Sequence, residues 1–368
     1  MKHPMLTLIL LLWIFSANAS PLIYAEQHTL HSKALASEKA YYVHLPEGYQ
    51  ESTRKYPVLF LLHGQWDTLP AVATLALLGD EIPQLILVGV QGSGADLLPG
   101  SDTQSQTPYS HFLNDELLPL IAANYRSGSM RILSGHSNSG RFVMNEWLRD
   151  GQAFSAYYAF SPSIDDGQLS SKLSTLDDAS ISAKAPLTLT LANEGEHMQH
   201  PFEQITARLQ AVQAQGFRST HLSDQSHSSS RHASLMFALR GTFYGWQPGY
   251  ETKTGPFPAL EQHYRDFGAR LGFDAEISQE LLQKLSAYFA MQGTPEGEQN
   301  TALTIEHGIK RDTKNSEGFW EIADYLRAND NPKAAETIAT SLCRTLPQQP
   351  RCSHYQGKAG GLSTSKKS

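Results

Sequence analysis

Within Arg131-Ile132-Leu133-Ser134-Gly135-His136-Ser137-Asn138-Ser139-Gly140, an apolar strand-like run stops at a glycine and a helical pattern, Gly140 to Arg149, takes over. A residue on so tight a strand-to-helix turn has its side chain exposed above the sheet and its backbone close to the helix N-terminus. Ser137 occupies that place. Small residues around it suit a strained turn that neighbouring chain passes closely. Turns of this kind most often read G-x-S-x-G; here Ser139 takes the last position, where serine is small enough to fit, and glycine follows at Gly140. A serine so placed is a candidate nucleophile.

Outward from this turn the chain alternates strands and helices. Tyr41 to Leu45 reads as a strand closed by the turn Pro46-Glu47-Gly48-Tyr49. Tyr56 to Leu62, Leu85 to Val90, Ala156 to Ser161 and Leu187 to Ala192 are near-continuous apolar runs, the pattern of strands buried on both faces of a parallel sheet. Tyr109 to Tyr125 and Phe202 to Gln215 carry apolar residues at helical spacing. This alternation predicts an α/β fold of three layers, with helices on both faces of a mostly parallel sheet and ligands beyond the strands' carboxyl ends. From Gln247 the pattern becomes helical, through Ala259 to Leu271, Ser278 to Met291, Ser316 to Ala328 and Asn331 to Thr345. The last two resemble a single tetratricopeptide-like hairpin, with no second copy. The expected organisation is therefore an α/β domain over residues 20–246, a helical region over 247–356 and a disordered Gly/Ser/Thr/Lys tail over 357–368.

Composition narrows the classes. Of 368 residues, 40% are hydrophobic and 18% charged, an ordinary balance for a folded protein, and the formal charge of −7 gives no reason to expect nucleic acid as a partner. Lys2 and His3 precede an apolar run from Met5 to Phe15, with Ala17-Asn18-Ala19 after it. That is the layout of a secretory signal peptide over residues 1–19, and the run is about half the ~20 residues of a spanning helix. A secreted or periplasmic mature protein with no membrane span is expected. Cys343 and Cys352, separated by a loop with two prolines, fit a short disulfide in an oxidising compartment, and two cysteines alone do not make a zinc site.

A serine nucleophile needs a base and an acid to orient it, and in this type of fold they follow it in the chain. Past the late strand, Asn193-Glu194-Gly195-Glu196 offers two carboxylates; farther on, Ser226-His227-Ser228-Ser229-Ser230-Arg231-His232 offers two histidines. Spacing alone does not choose within either pair. His63 and His136 flank glycine turns and read as structural. For the oxyanion, the backbone N–H of Asn138 after the serine and that of Gln65 in the loop His63-Gly64-Gln65-Trp66-Asp67 are the candidate donors. No metal or organic cofactor is required by such a set.

Taken together, Tyr42 to Tyr49, Tyr56 to Gln65, Gly135-His136-Ser137, Ala159-Phe160-Ser161-Pro162-Ser163, and Ser226-His227 followed by Ser234-Leu235 and Phe243-Tyr244-Gly245-Trp246 resemble the esterases of the α/β-hydrolase superfamily that include the enterochelin (ferric enterobactin) esterases and esterase D. The resemblance spans residues 28 to 246. It implies an α/β-hydrolase sandwich with the helical region appended, no cofactor, and hydrolysis of a small-molecule carboxylic ester, siderophore-type or another small acyl ester. It also implies Ser137 as nucleophile, His227 rather than His232 as base, and Glu194 rather than Glu196 as acid. Two positions depart from the family: the loop Gln91 to Pro99 lacks the usual arginine, and Ser228 stands where relatives often have glycine. Two other readings share this sequence: a cell-envelope acyltransferase on the same fold, and a non-catalytic binding or scaffold protein working through its helical region.

Overall fold

The computed structural model describes residues 23–97, 106–149 and 153–353. Residues 1–19, expected to form a signal peptide, the tail 357–368, and Leu98 and Pro99 lie outside them. Eight strands form one sheet: β1 (Glu26–Ser32), β2 (Ser37–His44), β3 (Tyr56–Leu62), β4 (Ile86–Val90), β5 (Ser127–His136), β6 (Ala156–Phe160), β7 (Leu187–Ala192) and β8 (Arg218–Leu222). Their spatial order is β1-β2-β4-β3-β5-β6-β7-β8, with β1 and β2 antiparallel to their neighbours and the remaining pairs parallel.

Strands β3, β4, β6 and β7 are buried along their whole length because both faces are covered. In β3, Leu59 and Leu61 point to one face and Val58, Phe60 and Leu62 to the other. The first face packs under helices α1 (Gly64–Leu78) and α4 (Ser230–Thr242); the second packs under residues 108–124 and helices α2 (Asn138–Leu148) and α3 (Glu196–Ala211). Helix α1 starts almost on top of β4. A Cβ on Gly64 would lie 2.3 Å from the Gly89 carbonyl carbon, so only glycine lets the first turn of α1 sit there.

Beyond Trp246 the chain is helical: α5 (Phe257–Leu271), α6 (Gln279–Gln292), α7 (Pro295–Arg311), α8 (Ser316–Ala328) and α9 (Pro332–Thr345). These helices have no separate core. Their apolar residues belong to the same cluster as Leu59, Leu61 and Ile132 on the first face of the sheet. Trp246 is a bridge, its ring 4.8 Å from that of Tyr264 and 5.4 Å from that of Phe267. Polar contacts fix the same junction at the amino ends of the strands. Ser129 donates its backbone N–H to the Gly272 carbonyl (3.0 Å), the Lys55 N–H donates to Asp274 (2.9 Å), and Glu276 pairs with both Arg54 and Arg311.

At the far end, Cys343 of α9 and Cys352 are joined by a disulfide, with Cys352 fully buried. It closes a turn pinned by Trp320, whose indole N–H donates to Gln349 (2.6 Å). Closing a loop of this length restricts the unfolded chain by about 2–3 kcal/mol. Replacing both cysteines by alanine should therefore lower unfolding free energy in urea by about that amount, and denatured, unreduced protein should titrate no free thiol. An unchanged urea midpoint would show that the bridge contributes nothing.

Candidate active site

Strand β5 ends at His136, and Ser137 follows with φ 61° and ψ −123° before α2 begins. Few non-glycine residues hold a positive φ, because the side chain crowds the backbone. Three backbone bonds enforce it here. The Ser137 N–H donates to the Phe160 carbonyl (2.9 Å), and the Ser137 carbonyl accepts from the N–H groups of Arg141 (2.9 Å) and Ser163 (3.2 Å). A serine at a helix start ordinarily turns its hydroxyl onto the helix's own N–H groups. Ser137 makes no such cap bond, so its half-buried hydroxyl is left for other use.

The turn's departure from G-x-S-x-G has a structural account. A Cβ on Gly135 would lie 2.5 Å from the Ser139 carbonyl group, so the close approach there requires glycine. Ser139 itself is fully buried and locks the turn: its hydroxyl accepts the His136 N–H (2.8 Å), donates to the His136 carbonyl (2.8 Å) and lies 3.3 Å from His63 Nδ1. With a proton on that nitrogen, His63 fills the remaining lone pair of the hydroxyl.

Glu194 lies just past the end of β7 and accepts a hydrogen bond from His227 Nδ1. Its side chain is only 12% exposed, while that of His227 is 44% exposed. The loop that presents His227 is built by its serines. Ser226 and Ser229 exchange bonds between each backbone N–H and the other's hydroxyl (2.9 and 3.2 Å), and Ser230 donates to the His227 carbonyl (3.0 Å). Ser228 has no positive φ, so glycine is not required at that position. The other members of each candidate pair are placed differently. Glu196 opens α3 with its side chain exposed, and His232 lies inside α4, where its Nδ1 is 2.7 Å from the Thr74 hydroxyl of α1.

The two candidate oxyanion donors both sit in first turns, where N–H groups have no partner within the helix. Asn138 opens α2, and its side chain accepts from the Ser163 hydroxyl (2.9 Å). Gln65 is the second residue of α1, and its amide spans to the loop after β4, donating to the Gly92 carbonyl (2.7 Å). In that loop, where relatives carry arginine, Asp96 is instead paired with Lys39 (2.8 Å).

His136 reads from sequence as a turn residue, yet its ring lies tilted against that of His227 with centroids 4.4 Å apart. Burial pushes its pKa down to about 3, with the neighbouring charge of His227 adding to the effect. It therefore stays neutral, and an imidazolium can form on His227 without a second cation against it. Asp67 and Arg231, not singled out by the sequence, form an ion pair in which the carboxylate is buried and the guanidinium is 34% exposed. The available signal was a charged residue four positions after each of two histidines, His63 and His227.

A sheet of this order with a strained serine turn after the fifth strand, a carboxylate after the seventh and a histidine after the eighth defines an α/β-hydrolase. Over residues 32–223, more than half its length, the chain matches the family described as "Putative esterase", and it belongs to that family. It is a carboxylic-ester hydrolase. Among solved structures it is similar to an IroE-like serine hydrolase from Shewanella oneidensis, with a TM-score of 0.63 and 22% identity, covering 76% of this chain and 98% of that one. An uncharacterised protein from Capnocytophaga ochracea matches with a TM-score of 0.56 and 15% identity over 92% of this chain and 94% of its own. A BES protein from Bacillus cereus matches with a TM-score of 0.52 and 22% identity over 62% and 99%. At these identities the likeness is one of fold. No curated protein matches the chain.

The neutral state of His136 has a stability consequence. The unfolded residue takes up a proton near pH 6.5, whereas the folded one does so only near 3, so the unfolded chain binds more protons between those values. Stability from this group is complete above 6.5 and is lost as pH falls toward 3. His136→Gln should flatten the fall of the thermal midpoint across that window; identical slopes for variant and wild type would contradict a buried neutral histidine.

Proposed function

We propose that this esterase is an exported enzyme that hydrolyses small-molecule carboxylic esters through Ser137, His227 and Glu194. The observation that carries the reading is the hydrogen bond from His227 Nδ1 to Glu194. It commits one ring nitrogen as a donor and leaves Nε2 as the basic one, the tautomer a general base requires. Ser137, on its strained turn with an uncapped hydroxyl, attacks the ester carbonyl carbon while His227 Nε2 takes its proton. The negative oxygen that develops is stabilised by the N–H groups of Gln65 and Asn138. His227 then returns the proton to the departing alkoxide, and water, activated by the same nitrogen, releases the acid from the acyl-enzyme. Neutral His136 packed on the imidazole favours this transient charge over a site with a second cation.

Export is supported by the signal-like N-terminus and by a disulfide, which persists in oxidising compartments. No helix among the described residues is long and apolar enough to cross a membrane. With Asp96 and Lys39 paired in the loop where relatives carry arginine, neutral acyl esters fit this reading better than a multiply anionic siderophore ester.

On a p-nitrophenyl ester, Ser137→Ala should reduce kcat/KM by at least about 10³-fold with the circular dichroism spectrum unchanged. His227→Ala should lose about 10²–10⁴-fold, while His232→Ala, which removes the Thr74 contact, stays within about tenfold of wild type. A dead His232 variant beside a nearly normal His227 variant would move the base to His232.

A further inference from the structure

Arg231 and Asp67 lie in a narrow cleft between α1 and α4, walled by Leu61, Pro70, Ala71, Phe160 and Leu235. Asp67 is 6% exposed, and burial pushes its carboxyl up from the usual carboxylate range, opposed by Arg231. An ion pair in such a setting is weak support for stability, since apolar residues of similar volume often serve as well. Its placement in the chain says more. Asp67 stands two residues after Gln65 on the first turn of α1, and Arg231 stands four residues after His227 at the start of α4. The guanidinium donates from one terminal nitrogen to Asp67 and from Nε to the carbonyl of Ser228 (3.0 Å), the residue next to His227. On its other side, the segment leading to His227 is tied to the Glu194 loop, where the Asn193 N–H donates to the Gln225 carbonyl (2.8 Å). Besides the Arg231 contacts and the His136 side chain, which bonds the His227 backbone and lies against its ring, the described bonds around residues 226–230 run within the loop itself or to Glu194.

We propose that Asp67 and Arg231 are positioning residues that hold the oxyanion donor Gln65 and the base His227 at a fixed separation across the mouth of the sheet. The proposal rests on the roles given to Gln65 and His227 above. The pair touches no reacting atom. It fastens the helix that carries one half of the site to the loop that carries the other, so that both meet the same carbonyl group. Misplacing catalytic groups by about 1 Å can lower rate by about 10²-fold, and a loss of this origin falls on kcat, because the ester's ground-state contacts remain.

The test is steady-state kinetics of the full chain on p-nitrophenyl acetate, with kcat and KM resolved, for Arg231→Gln, Arg231→Lys, Asp67→Asn and the double variant Asp67→Asn/Arg231→Gln. The expected result is a kcat loss of about 10–100-fold in Arg231→Gln, with KM within about threefold. Arg231→Lys, which can still reach Asp67, should recover much of the loss, and the double variant should be no worse than the poorer single one, as for residues acting as one unit. Wild-type kcat in folded Arg231→Gln, a loss confined to KM, or losses that multiply in the double variant would each overturn the proposal. If Arg231→Gln does not fold, Asp67→Asn/Arg231→Met removes both charges and fills the cleft with an apolar chain; wild-type kcat in that protein would overturn it equally. Ser137→Ala runs beside them: its full activity would overturn the underlying assignment, whereas an inactive Ser137→Ala with a fully active Arg231→Gln overturns the positioning pair alone.

Discussion

The backbone of Ser137 holds a conformation that costs about 1–3 kcal/mol for a residue with a side chain, and the rest of the site is arranged so that it cannot relax. The Phe160 carbonyl that receives its N–H belongs to the end of β6, opposite His136 in the β5/β6 register. A slip in strand pairing would therefore release the turn. Ser163, just beyond β6, binds the Ser137 carbonyl and is itself held by Arg141, whose guanidinium donates to the Ser163 carbonyl (2.9 Å) and to Asp166 (2.6 Å). The sheet is thus the clamp, and the serine's reach above it is a consequence of strand register. Gly64 acts similarly at α1, where contact with Gly89 fixes the helix start that carries Gln65.

Around this rigid centre the ionisable groups are arranged to limit net charge. His136 is neutral by burial, Asp67 is matched by Arg231, and Asp96 by Lys39. Glu194 stands against His227 Nδ1, and in the proposed reaction the proton comes and goes at the other ring nitrogen. Neutral packing near that pair matters because an interaction between charges is much stronger in a partly dry cleft than in water.

Much of this was legible in the chain. Strands β3, β4, β6 and β7 are buried along their whole length because helices cover both faces, and their largely apolar composition marks them. The edge strands β1 and β8, Glu26–Ser32 and Arg218–Leu222, escaped because they are largely exposed and read as polar loops. Helix α7 falls in the region expected to be helical but is not marked as a separate helix: its two glycines and two threonines break the helical pattern, yet Thr301 and Thr304 bond back to carbonyls one turn earlier and Gly308 lets Phe319 approach. Helix α3 begins at Glu196, six residues before its expected start, with Pro201 inside it, where the missing N–H normally argues against a helix interior. At the site, the serine turn could be read from local order. The pairing of Glu194 with His227 could not, since residues 33 apart meet only through the sheet's topology; family likeness supplied what spacing alone did not. Arg231 was hidden in the same way, 164 residues from its carboxylate.

The seam between the strands' amino ends and the helical region has a meaning in time as well as in space. Lys55 and Asp274 are 219 residues apart, and Ser129 reaches Gly272 across 143. Contacts separated so widely form slowly, since the intervening chain must be closed before they repay its entropy. A polypeptide emerging from one end can complete the pairing of β3 with β5 long before the partners for Lys55 and Ser129 exist. The apolar face of Leu59, Leu61 and Ile132 has only α1 and, later, α4 over part of it during that interval, so the order of synthesis leaves a partly bare sheet face that the last third of the chain completes.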